Sequence, residues 1–331
     1  MMLRRLAYAA VPVGVAMARF FPESMHPGKK AGRTLRELGI DFGIGRHRFE
    51  SNVLLSLWRS MLLLRWGFQA PVEDVENILH TRVRLNAGLG LEDMLSQSGG
   101  IILATPHYGA FIPLLMKLSQ LCKGRKKFNV IFNDPKVTPS NAQYGELFTR
   151  LGCDGSVLYP DRRGTVAALK ALKRGECVAI LPDVYFESST TMAVPFLGRL
   201  LRVMPGTAFF ATRTNSPVVP LYATPGASLG FDVAMGRPID PSGYADEDEE
   251  QSQFRFMTAL VSEMERQFRA NPVHWNYWAS LRERSSRLLD RELVTTGDFI
   301  AALQDKLRSS PTLLRRIPLL GDGLAAISQK N

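Results

Sequence analysis

Apolar positions fall into two regimes along this chain. Up to about residue 70 they form two long stretches, over 6–18 and over 53–66, the second interrupted by single arginines and reading VLLSLWRSMLLLRW. Beyond Gly99 and Gly100 they contract to short aliphatic runs bounded by turn residues and separated by longer amphipathic stretches. Short β-branched runs between turn signals mark buried strands, and 3.6-residue periodicity marks helices. The pattern predicts strands over 101–105, 128–132, 177–181, 218–223 and 231–235, with helices over 114–122, 143–151, 165–174 and 205–214. Strand and helix in turn imply an α/β fold whose mostly parallel central sheet is flanked by helices. Further helices are expected from Pro71 to His80, over 90–95, and from the acidic run at 246–250 through Arg269, where the carboxylates complement the helix dipole.

The two ends differ from this middle. The 6–18 stretch is shorter than the ~20 apolar residues a transmembrane helix needs, and Pro12 interrupts it. No small-x-small cleavage site follows before Arg19, so an interfacial anchor is expected in place of a signal peptide. In 53–66, Arg59 and Arg65 suit a helix lying in the headgroup plane or a core helix with snorkelling arginines. The tail shows helical periodicity over 299–307 before Pro311 and Pro318 break it. The expected organisation is therefore an N-terminal membrane-associated helical segment (1–70), an α/β domain (71–284) and a C-terminal helical extension (285–331).

Charge sharpens this picture. The chain has 41 Lys plus Arg against 31 Asp plus Glu, a net of +10, and residues 1–70 hold 11 basic against 4 acidic residues. Such an excess points to an anionic partner, and its placement beside apolar stretches favours a lipid surface or an acidic carrier. Nucleic acid is not expected, because basic and aromatic residues are not interleaved on a recognisable module. Cys122, Cys153 and Cys177 are too few and scattered for a disulfide framework or zinc site, and read as buried thiols in a reducing compartment.

The candidate chemistry starts at the run 101–105, which ends at Pro106 and presents His107 two residues before Gly109. A histidine where a strand's C-terminal end opens toward a helix stands where open α/β sheets keep their sites. A serine-type triad is not expected, since no G-x-S-x-G elbow occurs and Ser119 and Ser156 lack that context. His26, His47, His80 and His274 lie at no ligand spacing, so no metal is expected, and neither the Rossmann nor the Walker pattern appears. General-base catalysis by His107 on an acceptor hydroxyl or amine remains.

Five segments in order carry a resemblance: ILATPHYGAF, LKRGECVAILPD, AVPFLGR, TRTNSPVVPLYAT and NPVHWNYWASLRER, the last rich in aromatics. Together they resemble the lysophospholipid acyltransferase superfamily, and within it the bacterial lipid A late acyltransferases, over roughly residues 90–284. The resemblance implies an enzyme on the cytoplasmic face of the bacterial inner membrane. It would transfer a fatty acyl chain from acyl carrier protein, or from coenzyme A, to an acceptor, with no cofactor besides that co-substrate. His107 matches the catalytic histidine, Gly109 the small residue after it, and Asp183 the strand-end aspartate. Phe196 and Gly198 match a Pro-Phe-Phe-Gly element, with Leu197 replacing one phenylalanine, and Phe196 is expected to line the acyl groove. Arg162 or Arg163 is similar to a basic residue that meets a carrier phosphate or substrate anion, and Arg199 and Arg202 adjoin the Gly198 loop. Asp183 as a turn cap, and the two arginines as a solvated charge pair, are the competing readings.

One departure stands out. The family places Asp or Glu five residues after its histidine, to orient and stabilise the imidazole, and here that position is Ile112. A family arginine also falls on Gly152. Either a remote carboxylate, Asp183 or Asp134, substitutes, or His107 acts without one, or the fold keeps lipid or carrier binding without turnover.

Overall fold

The computed structural model describes residues 2–85, 90–185, 191–244 and 248–286. The N-terminal part is helical: α1 (Met2–Ala9), α2 (Val11–Ala18), α3 (Pro27–Glu37), α4 (Arg46–Gln69) and α5 (Val72–Thr81). Pro12 stands in the first turn of α2, where its missing N–H costs nothing, so the first apolar stretch divides into two short helices. The 53–66 stretch lies inside α4, whose Val53, Leu54, Leu63 and Trp66 are buried, so much of it is a core helix. No described helix is long and apolar enough to cross a membrane.

Strands and helices then alternate as β1 (Val83–Leu85), α6 (Leu91–Ser96), β2 (Ile101–Ala104), α7 (Phe111–Cys122), β3 (Phe128–Ile131), α8 (Ala142–Arg150), β4 (Val157–Leu158), α9 (Arg162–Lys173) and β5 (Cys177–Ile180). A hairpin follows, β6 (Met192–Phe196) and β7 (Arg199–Val203), and then α10 (Gly206–Thr214), β8 (Val218–Pro225), β9 (Phe231–Met235), α11 (Glu249–Ala270), α12 (Leu281–Arg284) and β10 (Ser285–Ser286). Seven strands form the central sheet in the order β1-β9-β8-β2-β5-β3-β4, and only the β8–β9 pair is antiparallel. β2 and β5 are buried along their whole length, as expected for strands covered by helices on both faces. β10, β7 and β6 make a small antiparallel sheet. The acidic run does start α11, where Asp248 caps the N-terminus by accepting from Glu250 N–H at 2.9 Å. The expected helix at 299–307 lies outside the described residues.

The core divides into two large clusters, and the one that includes Ile102 and Ala104 of β2 also holds the largest aromatic side chains. Phe196, Phe268, Trp275 and Trp278 are all less than 2 % exposed. Burying rings of this size contributes a large share of the local packing energy, and their edge-to-face contacts fix them in one arrangement. The segment that contributes Trp275 is bridged to Tyr108, next to His107.

Candidate active site

Strand register assembles the site. β2 and β5 run parallel with Ala104 opposite Ile180. His107 is three residues beyond Ala104 and Asp183 three beyond Ile180, so adjacent strand ends bring the two residues together. Asp183 Oδ1 lies 2.9 Å from His107 Nδ1, and Asp183 Oδ2 accepts from the His107 main-chain N–H at 3.0 Å and from Trp275 Nε1–H at 2.9 Å. An ionised carboxylate only accepts hydrogen bonds, so Nδ1 of the neutral ring carries the proton and Nε2 keeps its lone pair. Burial pushes the Asp183 carboxyl up, but the His107 ring, Arg284 and the Trp275 indole outweigh it and hold the group below the usual carboxylate range.

The loop is fixed from several sides. Gly109 N–H donates to the His274 carbonyl at 2.7 Å, Asn276 N–H donates to the His107 carbonyl at 2.9 Å, and Tyr108 Oη donates to the Asn271 carbonyl at 2.8 Å. Gly109 has φ +53°, and a Cβ there would stand 2.0 Å from the Ala223 carbonyl oxygen, so backbone approach demands glycine. The imidazole packs between or against the rings of Phe111 at 4.7 Å and Tyr277 at 4.6 Å. With its side chain 18 % exposed, it keeps one side toward open space.

That space is a largely apolar cavity of about 530 Å³, walled by Phe111, Ile112, Phe132, Leu181, Phe209 and Phe210. Ile112 is therefore a wall residue here, on the first turn of α7. A smaller, more polar pocket of about 290 Å³ also includes His107, together with Asn133, Tyr185, Tyr277 and Arg284. The histidine thus borders two compartments of different character.

Other expected site residues lie elsewhere. Phe196 is not a wall of the cavity. It is fully buried and packs edge-on against Trp275 at 5.4 Å, supporting the indole that holds Asp183. Leu197 (φ +51°) and Gly198 (φ +70°) are the two turn residues between β6 and β7, which explains the glycine by conformation and not by ligand contact. Arg199 is buried and donates through Nε to Ser285 Oγ at 2.8 Å, so it ties β7 to β10 and does not reach the cavity. Arg162 and Arg163 are exposed at the start of α9, whose Gly164 and Thr165 border the cavity. Asp134 is a turn cap that accepts from Lys136 N–H at 2.8 Å, leaving Asp183 as the carboxylate beside His107.

Two of the remaining histidines have local roles. His26 Nδ1 caps α3 by accepting from Lys29 N–H at 3.1 Å, and His274 Nδ1 lies 2.6 Å from Ser56 Oγ in the interior. No cluster of His, Cys, Asp and Glu able to hold a metal ion occurs among the described residues. Sequence reasoning assigns no direct role to Tyr277, Trp275 or Arg284, although the aromatic-rich segment that contains them stands out.

A search of curated proteins returns no match. A family model for bacterial lipid A biosynthesis acyltransferases matches residues 76–281, a stretch that takes in the whole central sheet, both members of the His107–Asp183 pair and Trp275. With well over half of its length so matched, the chain belongs to the bacterial lipid A biosynthesis acyltransferase family.

Proposed function

We infer that this chain transfers a fatty acyl group from a carrier thioester to a hydroxyl or amine acceptor, with His107 as general base and Asp183 as the carboxylate that orients it. The observation that carries this reading is the 2.9 Å contact between His107 Nδ1 and Asp183 Oδ1 on a histidine that also borders an apolar cavity. Nε2 takes the acceptor's proton as its oxygen or nitrogen attacks the thioester carbonyl, and Asp183 stabilises the imidazolium that forms. Collapse of the tetrahedral intermediate breaks the C–S bond, and the imidazolium returns the proton to the departing sulfur. The acyl chain occupies the apolar cavity, and Arg162 and Arg163 near its border attract an acidic acyl carrier protein, or the phosphates of coenzyme A.

The same reading places the protein on the cytoplasmic face of the inner membrane. Among the described residues, seven of the nine exposed large apolar side chains, Leu6, Val13, Met17, Phe20, Phe21, Met25 and Met61, lie within the first 61 residues, where basic residues are also concentrated. Exposed apolar side chains with flanking cations suit a segment lying in the headgroup plane of anionic lipid. The binding-only alternative rests on Ile112, and the contact of Asp183, just beyond β5, with His107 supports the enzyme reading over it.

The test is turnover by the full chain on anionic vesicles, with carrier-bound and coenzyme A-bound acyl donors and a panel of acceptors, products being read by mass spectrometry. Acyl transfer that disappears in His107→Ala is the expected result. Transfer unchanged by that substitution contradicts the mechanism, and saturable donor binding with no transfer to any acceptor supports the binding-only role.

A further inference from the structure

The polar pocket beside His107 contains an unusual donor. Arg284, at the end of α12, is only 6 % exposed. Its Nη2 donates to the Asp183 main-chain oxygen, and its guanidinium lies 4.0 Å over the Tyr277 ring, the ring that also packs on His107. Its Nη1 is buried and has no hydrogen-bond partner among the described residues. An unpaired N–H on a buried cation is costly, and a guanidinium presents its donors in a fork suited to carboxylate or phosphate. Neutralising Asp183 requires a nearby positive charge but leaves Nη1 unexplained, because the contact with the Asp183 backbone is made by Nη2. Arg284 and His107 border the same 290 Å³ pocket, which adjoins the larger apolar cavity along His107, Asn133, Val184 and Tyr277.

Resting on the acyl-transfer reading above, we propose that this pocket receives the acceptor, and that Arg284 Nη1 binds an anionic group, carboxylate or phosphate, carried by the acceptor close to its attacking hydroxyl or amine. Both Arg284 and His107 pack on Tyr277, so an acceptor held by its anion has its nucleophile within a small molecule's length of Nε2. The pocket is small enough to enclose such a head group, and among its described lining residues Glu283 is exposed and Arg284 is the buried guanidinium. Acceptors of this class are hydroxy acids, amino acids and phosphorylated alcohols, free or as lipid head groups.

The experiment compares acceptors in pairs that differ by one charge, 3-hydroxybutyrate against its methyl ester and glycerol 3-phosphate against glycerol, with a long-chain acyl thioester as donor. The readout is the ratio of kcat/KM within each pair, which divides out general damage to the site. Wild-type protein is expected to favour at least one anionic member by about tenfold or more, the size of one charge-assisted hydrogen bond, with the difference in KM. The carboxylate pair and the phosphate pair distinguish the two anion sources. Arg284→Gln is expected to bring the ratio near one and Arg284→Lys to an intermediate value. In wild-type protein, inorganic phosphate or acetate should compete with the anionic acceptor. Ratios near one in wild-type protein, or a preference that survives Arg284→Gln, overturn the proposal and leave Arg284 as the counter-ion of Asp183. Thioester turnover that does not depend on His107 overturns the underlying mechanism instead, and the proposal with it.

Discussion

Asp183→Asn isolates the charge at the centre of the site with almost no change in shape. The carboxamide has two orientations. If its oxygen replaces Oδ2, it keeps the hydrogen bonds from His107 N–H and Trp275 Nε1–H, and its NH₂ then faces Nδ1 of the imidazole. If it flips, two N–H donors face an NH₂ group. The first orientation keeps two bonds and prevails, and it requires Nδ1 to accept, so the ring's proton moves to Nε2. A base protonated on its working nitrogen cannot take a proton, and the negative charge that stabilised the imidazolium is gone as well. In serine-hydrolase triads the equivalent change costs about 10⁴-fold in kcat, or ~5 kcal/mol of transition-state stabilisation. Here kcat for acyl transfer should fall about 10³- to 10⁴-fold, while KM for the acyl donor stays within about threefold because the cavity wall is untouched. The double variant with His107→Ala should be little worse than His107→Ala alone, since the two residues act as a unit. Single-turnover transfer from a radiolabelled thioester measures both quantities. A variant retaining kcat within about tenfold of wild type, while folded, refutes the assignment of Asp183 as the orienting carboxylate.

Three further outcomes follow from the same geometry. His274 is buried, and burial followed by the nearby Arg59 lowers its pKa to about 4 from 6.5. Between those values the unfolded chain binds the proton and the folded one does not, so stability falls as pH drops from 7 toward 4, by about 3 kcal/mol from this residue. Denaturant unfolding at both pH values should show that part of the slope vanish in His274→Gln. Gly109→Ala should cost about 3 kcal/mol or more, from the left-handed backbone and the clash with the Ala223 carbonyl, and should lower kcat together with stability. Lengthening the acyl donor should strengthen binding by ~0.8 kcal/mol per methylene, about fourfold in affinity, until the chain fills the cavity and the trend flattens. A donor series by titration calorimetry checks this, and no dependence on length would remove the cavity from acyl binding.

Local pattern announced the elements that position the site. The strands 101–105, 177–181 and 218–223 were legible because each is an aliphatic run closed by turn residues, and His107 and Asp183 stood out because each follows such a run directly. What no spacing reveals is that Ala104 faces Ile180, and this register alone turns two distant residues into one hydrogen-bonded pair. Ile112 therefore looked like a lost partner when the carboxylate is supplied by the neighbouring strand. The β6–β7 hairpin escaped because Pro195 argues against a strand, and it is tolerated since β6 is an edge. Arg199 looked functional beside Gly198, and its partner Ser285 lies 86 residues further along. Arg284 closes the aromatic-rich segment 271–284, but its own importance lies in burial and in one unpaired nitrogen, which no spacing reveals.

The mechanism requires that Asp183 hold the His107 imidazole with its proton on Nδ1 and its lone pair on Nε2. Nitrogen-15 NMR of histidine-labelled protein, with His107→Gln for assignment, reads the tautomer directly. The expected result is a His107 ring protonated on Nδ1 in wild-type protein, and on Nε2 in Asp183→Asn. A wild-type ring protonated on Nε2, or a tautomer that Asp183→Asn leaves unchanged, would contradict it.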